Sequence, residues 1–203
     1  MISNVAASVR VMLVTDDRLL AGRDAVALAR AAERGGATSL QLRLKDAPAR
    51  EQLALARALV AALAIPVLVN DRPDIALAAG AAGVHLGPDD LPVALTRRIV
   101  PPGFIIGASV GSEEEAAAAG GADYWGIGPW RTTGTKVDAG QALGLEGFAR
   151  LVQLGGGRPC IAVGGVRPED VAAVRGAGGA GVAVVSGILA ADDVESAARR
   201  YAG

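Results

Sequence analysis

The segment Thr133-Gly134-Thr135-Lys136 sets two hydroxyls and an ammonium within four residues, all hydrogen-bond donors and one a fixed positive charge. It ends a glycine-punctuated run, Gly126 to Lys136, that follows the apolar stretch Ala122-Asp123-Tyr124-Trp125. Closely spaced glycines let backbone N–H groups approach a ligand that side chains would otherwise block. Such a loop suits a phosphate or pyrophosphate, although the same composition also describes an ordinary polar connection until its context is known. More polar groups stand at comparable places. Gln41, Arg43 and Lys45 alternate with Leu40, Leu42 and Leu44, and Asn70-Asp71, Asp89-Asp90, Ser109, Gly164-Gly165 and Ser186-Gly187 each follow a short apolar run.

Asp71 and Asp90 could share a divalent cation, and an all-oxygen set completed by water suits Mg²⁺, which typically binds through one or two carboxylates plus substrate phosphates. Helix capping is the competing use of an Asp. Arg43, Lys45 and Lys136 add positive charge. A pyrophosphate is the economical ligand for that mixture. No Ser/His/Asp nucleophile set and no Cys/His metal cluster is visible in a chain with one histidine and one cysteine. The chemistry indicated is ionisation with departure of pyrophosphate, stabilised by surrounding charge, rather than covalent catalysis.

The elements that must position these groups recur along the chain. Strands are expected at 9–14, 38–45, 65–69, 83–86, 105–109, 122–125, 159–163 and 180–185. Helices are expected at 24–34, 48–63, 73–79, 92–98, from Ser112, and at 145–154, 168–175 and 192–201. Ser112 and Glu115 have capping-box spacing. Eight strand–helix units of about 25 residues, without a linker or composition break, favour one closed (β/α)8 TIM barrel of α/β class over residues 1–203 rather than an open doubly wound sheet. In such a barrel the active site lies at the C-terminal ends of the strands. The polar groups named above all fall there.

Composition narrows the function further. Apolar residues make up 51% and aromatics 3%, so Ala, Val, Leu and Ile must build the core. A formal net charge of −1 argues against a nucleic-acid surface, so any anion must be met by a local cluster. The single Cys160 cannot form an internal disulfide. No signal pattern or uncharged run long enough to span a membrane stands out. The expectation is a cytoplasmic enzyme of small-molecule substrates, with homo-oligomerisation left open.

The segments Val14-Thr15-Asp16, Gln41-Leu42-Arg43-Leu44-Lys45, Asn70-Asp71, Gly83-Val84-His85-Leu86-Gly87, Asp89-Asp90, Ser109, Gly128-Pro129, Thr133 to Lys136, Gly164-Gly165 and Ser186-Gly187-Ile188 together resemble the thiamine-phosphate synthase family over nearly the whole chain. The resemblance implies condensation of hydroxymethylpyrimidine pyrophosphate with hydroxyethylthiazole phosphate, giving thiamine phosphate and pyrophosphate. It implies a pyrimidine-pyrophosphate site at Gln41, Arg43, Lys45, Asn70, Ser109 and Lys136, with Arg43, Lys45, Ser109 and Lys136 serving catalysis. It also implies Mg²⁺ at Asp71 and Asp90, and a thiazole-phosphate site at Thr133, Thr135, Gly165, Val185 and Ser186. In the family the pyrophosphate leaves first and the thiazole nitrogen captures the pyrimidine carbocation. Two positions depart from the pattern: Pro88 stands where the family usually has Gln, and Gly111 where it often has His. A related thiazole tautomerase of the same fold relies on a His in that second segment, so its absence favours the synthase. A non-catalytic thiamine-phosphate binder is the remaining alternative.

Other prominent residues read as structural. His85 is expected to be packed and hydrogen-bonded at its strand end, Trp125 and Trp130 to pack, with Trp130 also placed to wall a ring, and Cys160 to act as a small hydrophobe.

Overall fold

Short β-branched and leucine-rich runs separated by amphipathic, alanine-rich helices give eight parallel strands in a computed structural model that describes residues 5–132 and 141–203. The strands are β1 (Val11–Val14), β2 (Ser39–Leu42), β3 (Val67–Asn70), β4 (Gly83–Leu86), β5 (Ile105–Val110), β6 (Tyr124–Ile127), β7 (Cys160–Val163) and β8 (Gly181–Val184). They pair in sequence order and close on themselves, with Val11 of β1 beside Val182 of β8. The expected (β/α)8 barrel is the observed architecture. Closure leaves no free sheet edge.

Parallel strands covered on both faces must be apolar on both, and these are. Met12, Val14, Leu68, Ile105, Tyr124, Ile161 and Ala183 fill the barrel interior as one cluster. Their strand neighbours Leu13, Leu40, Leu42, Val69, Ile106, Trp125 and Val184 turn outward into a second, larger cluster under the helices. That alternation follows from side chains pointing to opposite faces along a strand.

The principal helices occupy Ala25–Arg34, Ala49–Ala62, Pro73–Ala79, Val93–Ile99, Glu113–Ala118, Gly144–Leu154, Val171–Gly176 and Val194–Ala202. Asp24 and Asp193 cap two of them by accepting backbone N–H groups. Ser112 accepts the Glu115 N–H as the capping-box spacing predicts, but the Glu115 carboxylate reaches one residue further, to the Gly111 N–H. Short helices at Val5–Ser8, Asp17–Leu20 and Ser186–Leu189 and a 3-10 turn at Pro168–Asp170 were not legible as separate elements.

One strand expectation is corrected. The alternation through Lys45 suggests a strand over 38–45, whereas β2 stops at Leu42. Thr15 causes the stop. Its Oγ1 accepts the Arg43 N–H at 2.7 Å and donates to the Arg43 carbonyl at 3.0 Å, taking both backbone groups that a ladder would use. Gln41 is therefore an inward, buried strand residue, Arg43 a half-buried residue of the following loop, and Lys45 an exposed one.

Glycine shapes the interior between β5 and β6. A Cβ on Gly107 would fall inside the van der Waals envelope of the Tyr124 ring, and one on Gly126 would sit 3.0 Å from His85 Cε1. Gly107→Ala is expected to destabilise the barrel by about 1–3 kcal/mol through overpacking. The measurement is urea unfolding, with a lower midpoint and an unchanged m-value. Gly176→Ala, in open space at a helix end, serves as the control and leaves the midpoint unchanged or raised.

Candidate active site

The C-terminal ends of β2, β3 and β4 converge on one rim. Arg43 leaves β2 and sets its guanidinium 3.6 Å from Asp16 Oδ2, both side chains mostly buried. Lys45 is held at its backbone, where its N–H donates to Asp17 Oδ2 at 2.8 Å, and its ammonium lies 3.9 Å from Asp71 Oδ2. Asp71 directly follows β3 and takes φ 63°, the left-handed region that a non-glycine residue seldom adopts. Its N–H donates to the His85 carbonyl at 2.8 Å, so β4 fixes this unusual backbone from the side.

Asp90 completes the group from the turn after β4. Its Oδ2 accepts the Gly87 N–H at 2.6 Å, which folds Gly87-Pro88-Asp89-Asp90 back on itself. Pro88 takes the second position of that turn, where its fixed φ is favourable. The departure at Pro88 thus stiffens the turn that carries Asp90.

Asp71 and Asp90 are close enough to influence one another, and this shows in the electrostatics. Burial, then the Asp90 carboxyl, push the Asp71 carboxyl up to about 6, against the lowering pull of Lys45 and Arg43. A half-buried carboxyl with a second carboxyl beside it ionises less readily, and a nearby cation would favour its charged form. Among the described residues no group of three His, Cys, Asp or Glu side chains could hold a metal. Asp71 and Asp90 are thus two neighbouring carboxyls, the number through which Mg²⁺ often binds when substrate and water supply the rest.

Inside the rim, Gln41 is buried between Val14 and Leu68 in the strand register, and its Nε2 finds no hydrogen-bond partner among the described residues. An unmet buried amide is costly, and a polar ligand at the rim would relieve it. Asn70 ends β3 beside His85. Ser109, near the end of β5, has its Oγ 3.0 Å from His85 Nε2.

The opposite side of the rim is made by backbone. Gly164 and Gly165 follow β7 with φ 88° and 68°, left-handed backbone that glycine adopts without a Cβ penalty. Arg131 organises this turn. Its N–H donates to the Gly164 carbonyl at 2.9 Å, its guanidinium to the Gly165 carbonyl at 3.2 Å, and the same guanidinium pairs with buried Asp170. Asp170 also accepts the Arg167 N–H, and the Arg131 bond, ahead of every other influence, holds its carboxyl below the usual carboxylate range. Val185 and Ser186 follow β8, with Ser186 opening the short helix Ser186–Leu189.

Arg43, Lys45, Asp71 and Asp90 are brought together, and Gln41, Asn70, Ser109, Gly165, Val185 and Ser186 all lie at strand ends on the same rim. Thr133, Thr135 and Lys136 lie outside the described residues. Trp130 packs edge-on against Phe148 in the outer core. Trp125 is likewise core, its indole N–H donating to the Ala119 carbonyl, and burial pushes the Cys160 thiol up to about 11. At Gly111 a Cβ would lie 3.0 Å from the Gly128 carbonyl and 3.3 Å from the Glu115 carboxylate, so this chain has little room for the side chain that the family often carries there. Sequence reasoning missed Arg131 and Asp170. Their only signal is a single arginine in a glycine loop and an aspartate at a helix start, 39 residues apart.

Comparison with known proteins adds identity to this geometry. Residues 11–188 match the family model described as thiamine monophosphate synthase. The chain is 50% identical over 195 residues to the thiamine-phosphate synthase of Azorhizobium caulinodans, covering 92% of this chain and 90% of that one. It is 49% identical over 192 residues to that of Xanthobacter autotrophicus, with the same coverage. Among solved structures, thiamine phosphate pyrophosphorylase from Pyrococcus furiosus superposes with a TM-score of 0.86 at 37% identity, over 98% of this chain and 96% of that one. A 3-hexulose-6-phosphate synthase, at TM-score 0.69 and 18% identity, shares the fold alone. The chain belongs to the thiamine monophosphate synthase family of transferases.

Proposed function

We propose that this protein joins hydroxymethylpyrimidine pyrophosphate to hydroxyethylthiazole phosphate. The observation that carries the reading is the meeting of Arg43, Lys45, Asp71 and Asp90 on one rim of a barrel whose relatives are thiamine-phosphate synthases. The pyrimidine C–O bond breaks and its electron pair leaves with pyrophosphate. The thiazole nitrogen then donates its lone pair to the exposed carbon, forming the C–N bond of thiamine phosphate. Arg43, Lys45 and Lys136 would take the negative charge that grows on the departing oxygen, which is where fixed charge accelerates such a step. Gln41, Asn70 and Ser109 would hold the pyrimidine. Gly165, Val185 and Ser186, with Thr133 and Thr135, would hold the thiazole and its phosphate.

The pair Asp71 and Asp90 fits Mg²⁺ by number, oxygen chemistry and mutual repulsion. When bound, the ion would supply charge neutralisation for the diphosphate and its leaving oxygen. Nothing favours the tautomerase, because Gly111 brings neither a histidine nor space for one.

The test supplies both substrates with Mg²⁺ and follows thiamine phosphate and pyrophosphate by chromatography. Both should appear in equal amounts and stop on chelation, and Asp71→Asn should lower kcat by about 100-fold in folded protein. If the well-folded protein yields neither product, the reading is withdrawn.

A separate prediction concerns Asp170. Asp170→Asn weakens the hold of Arg131 on the Gly164–Gly165 turn. It should raise the KM for thiazole phosphate about 10-fold, the worth of one charge-assisted bond, and leave the KM for the pyrimidine substrate unchanged. The folded-state pKa of Asp170 is depressed, so its contribution to stability is full above the ordinary carboxylate range and is lost as pH falls below it. The stability gap between wild type and Asp170→Asn should therefore be open at pH 7 and close in acid, read by thermal melting across pH.

A further inference from the structure

The barrel interior holds one polar chain that the rim residues do not explain. His85 faces inward from β4 between two hydroxyls: its Nδ1 lies 2.8 Å from the Tyr124 hydroxyl and its Nε2 3.0 Å from Ser109 Oγ. Tyr124 is fully buried at the start of β6, its ring tilted 35° against the imidazole with centroids 5.5 Å apart. Space for it is reserved by Gly107 and Gly126, whose missing Cβ atoms leave the slot that ring and imidazole fill. The interior has been cut to this arrangement.

The direction of the hydrogen bonds follows from what each atom can accept. Among the described residues, the Tyr124 hydroxyl has two acceptors in reach, His85 Nδ1 at 2.8 Å and the Met12 thioether at 3.9 Å. A thioether sulfur is a weak acceptor and an imidazole nitrogen a good one, so the phenolic hydrogen goes to Nδ1. That leaves Nδ1 as acceptor and places the ring proton on Nε2, because in a neutral imidazole the bond made by one nitrogen sets the state of the other. Nε2–H then donates to Ser109 Oγ. A serine oxygen that already accepts turns its own hydrogen elsewhere.

We propose that Tyr124, acting through His85, is a positioning residue that fixes Ser109 as a hydrogen-bond donor toward an acceptor atom of the pyrimidine pyrophosphate. The proposal rests on the synthase reading for the identity of that ligand. It does not rest on that reading for the proton arrangement. Without Tyr124, Ser109 could donate to Nε2 instead, and its hydrogen would be drawn away from the ligand.

His85 is the only histidine in the chain, so protein labelled with ¹⁵N-histidine reports on this ring alone. Two-bond ¹H–¹⁵N spectra of the full chain at neutral pH should show Nε2 protonated and Nδ1 bare. In Tyr124→Phe, the form protonated at Nδ1 should appear, kcat/KM for the pyrimidine substrate should fall about 10-fold, the loss of one hydrogen bond of ordinary strength, and the KM for thiazole phosphate should hold. His85→Gln, whose amide N–H can stand in for Nε2–H, should recover more activity than His85→Leu. A wild-type spectrum with Nδ1 protonated and Nε2 bare overturns the proposal, as does a Tyr124→Phe variant unchanged in both spectrum and kcat/KM. Failure of the synthase reading would look different: wild-type protein making no thiamine phosphate while the spectrum still shows the Nε2–H ring.

Discussion

The constraint behind every feature of this molecule is that a closed parallel barrel has no wet face. Its strands are covered outside by helices and inside by one another, so an inward polar group must find a partner within the protein or in a ligand. Most inward positions obey by being apolar, as Met12, Val14, Leu68, Ile105 and Ile161 are. The exceptions fall into two kinds. His85, Tyr124 and Ser109 bond to one another across β4, β5 and β6, whereas Gln41 Nε2 and Ser39 Oγ have no partner among the described residues. A self-satisfied chain can be preorganised before any ligand arrives. An unmet amide next to the rim is one that a polar ligand there would complete.

The same constraint pushes the charges outward to the rim, where they are half-buried and close together. Each is held by a bond that is not itself charge on charge. Asp71 is placed by its N–H on the His85 carbonyl, Lys45 by its N–H on Asp17, Asp90 by the Gly87 N–H, and Arg43 by the Thr15 hydroxyl. Backbone anchoring matters because an exposed ion pair such as Lys45–Asp71, at 3.9 Å, would by itself contribute little. The cluster keeps its shape because the chain beneath it is fixed.

This division also explains what could be read from residues alone. Period and punctuation carried the barrel, and its topology carried the rim, since any polar group at a strand end must arrive there. The extension of β2 to Lys45 misled because leucines at 40, 42 and 44 continue the strand period, while the hydroxyl that ends the strand comes from Thr15, 28 residues earlier. Arg131 with Asp170, and Tyr124 with His85, are pairings over 39 residues each. Local pattern holds no trace of such a partner. Tyr124 in particular sits in an apolar run whose burial is legible, but the use of its hydroxyl is not.

Charge at the rim sets a final condition on what it can accept. Arg43 and Lys45 lie beside Asp16, Asp17, Asp71 and Asp90, so among the described residues there carboxyls outnumber basic side chains before a substrate enters. A diphosphate brings several further negative charges into a half-buried site, where repulsion is screened far less than in water. The raised Asp71 carboxyl expresses the same imbalance from the protein's side, since a proton is the only cation the chain can recruit by itself. If the site takes Mg²⁺ as proposed, Asp71 and Asp90 would hold it, and its charge would offset both the carboxyl pair and the diphosphate.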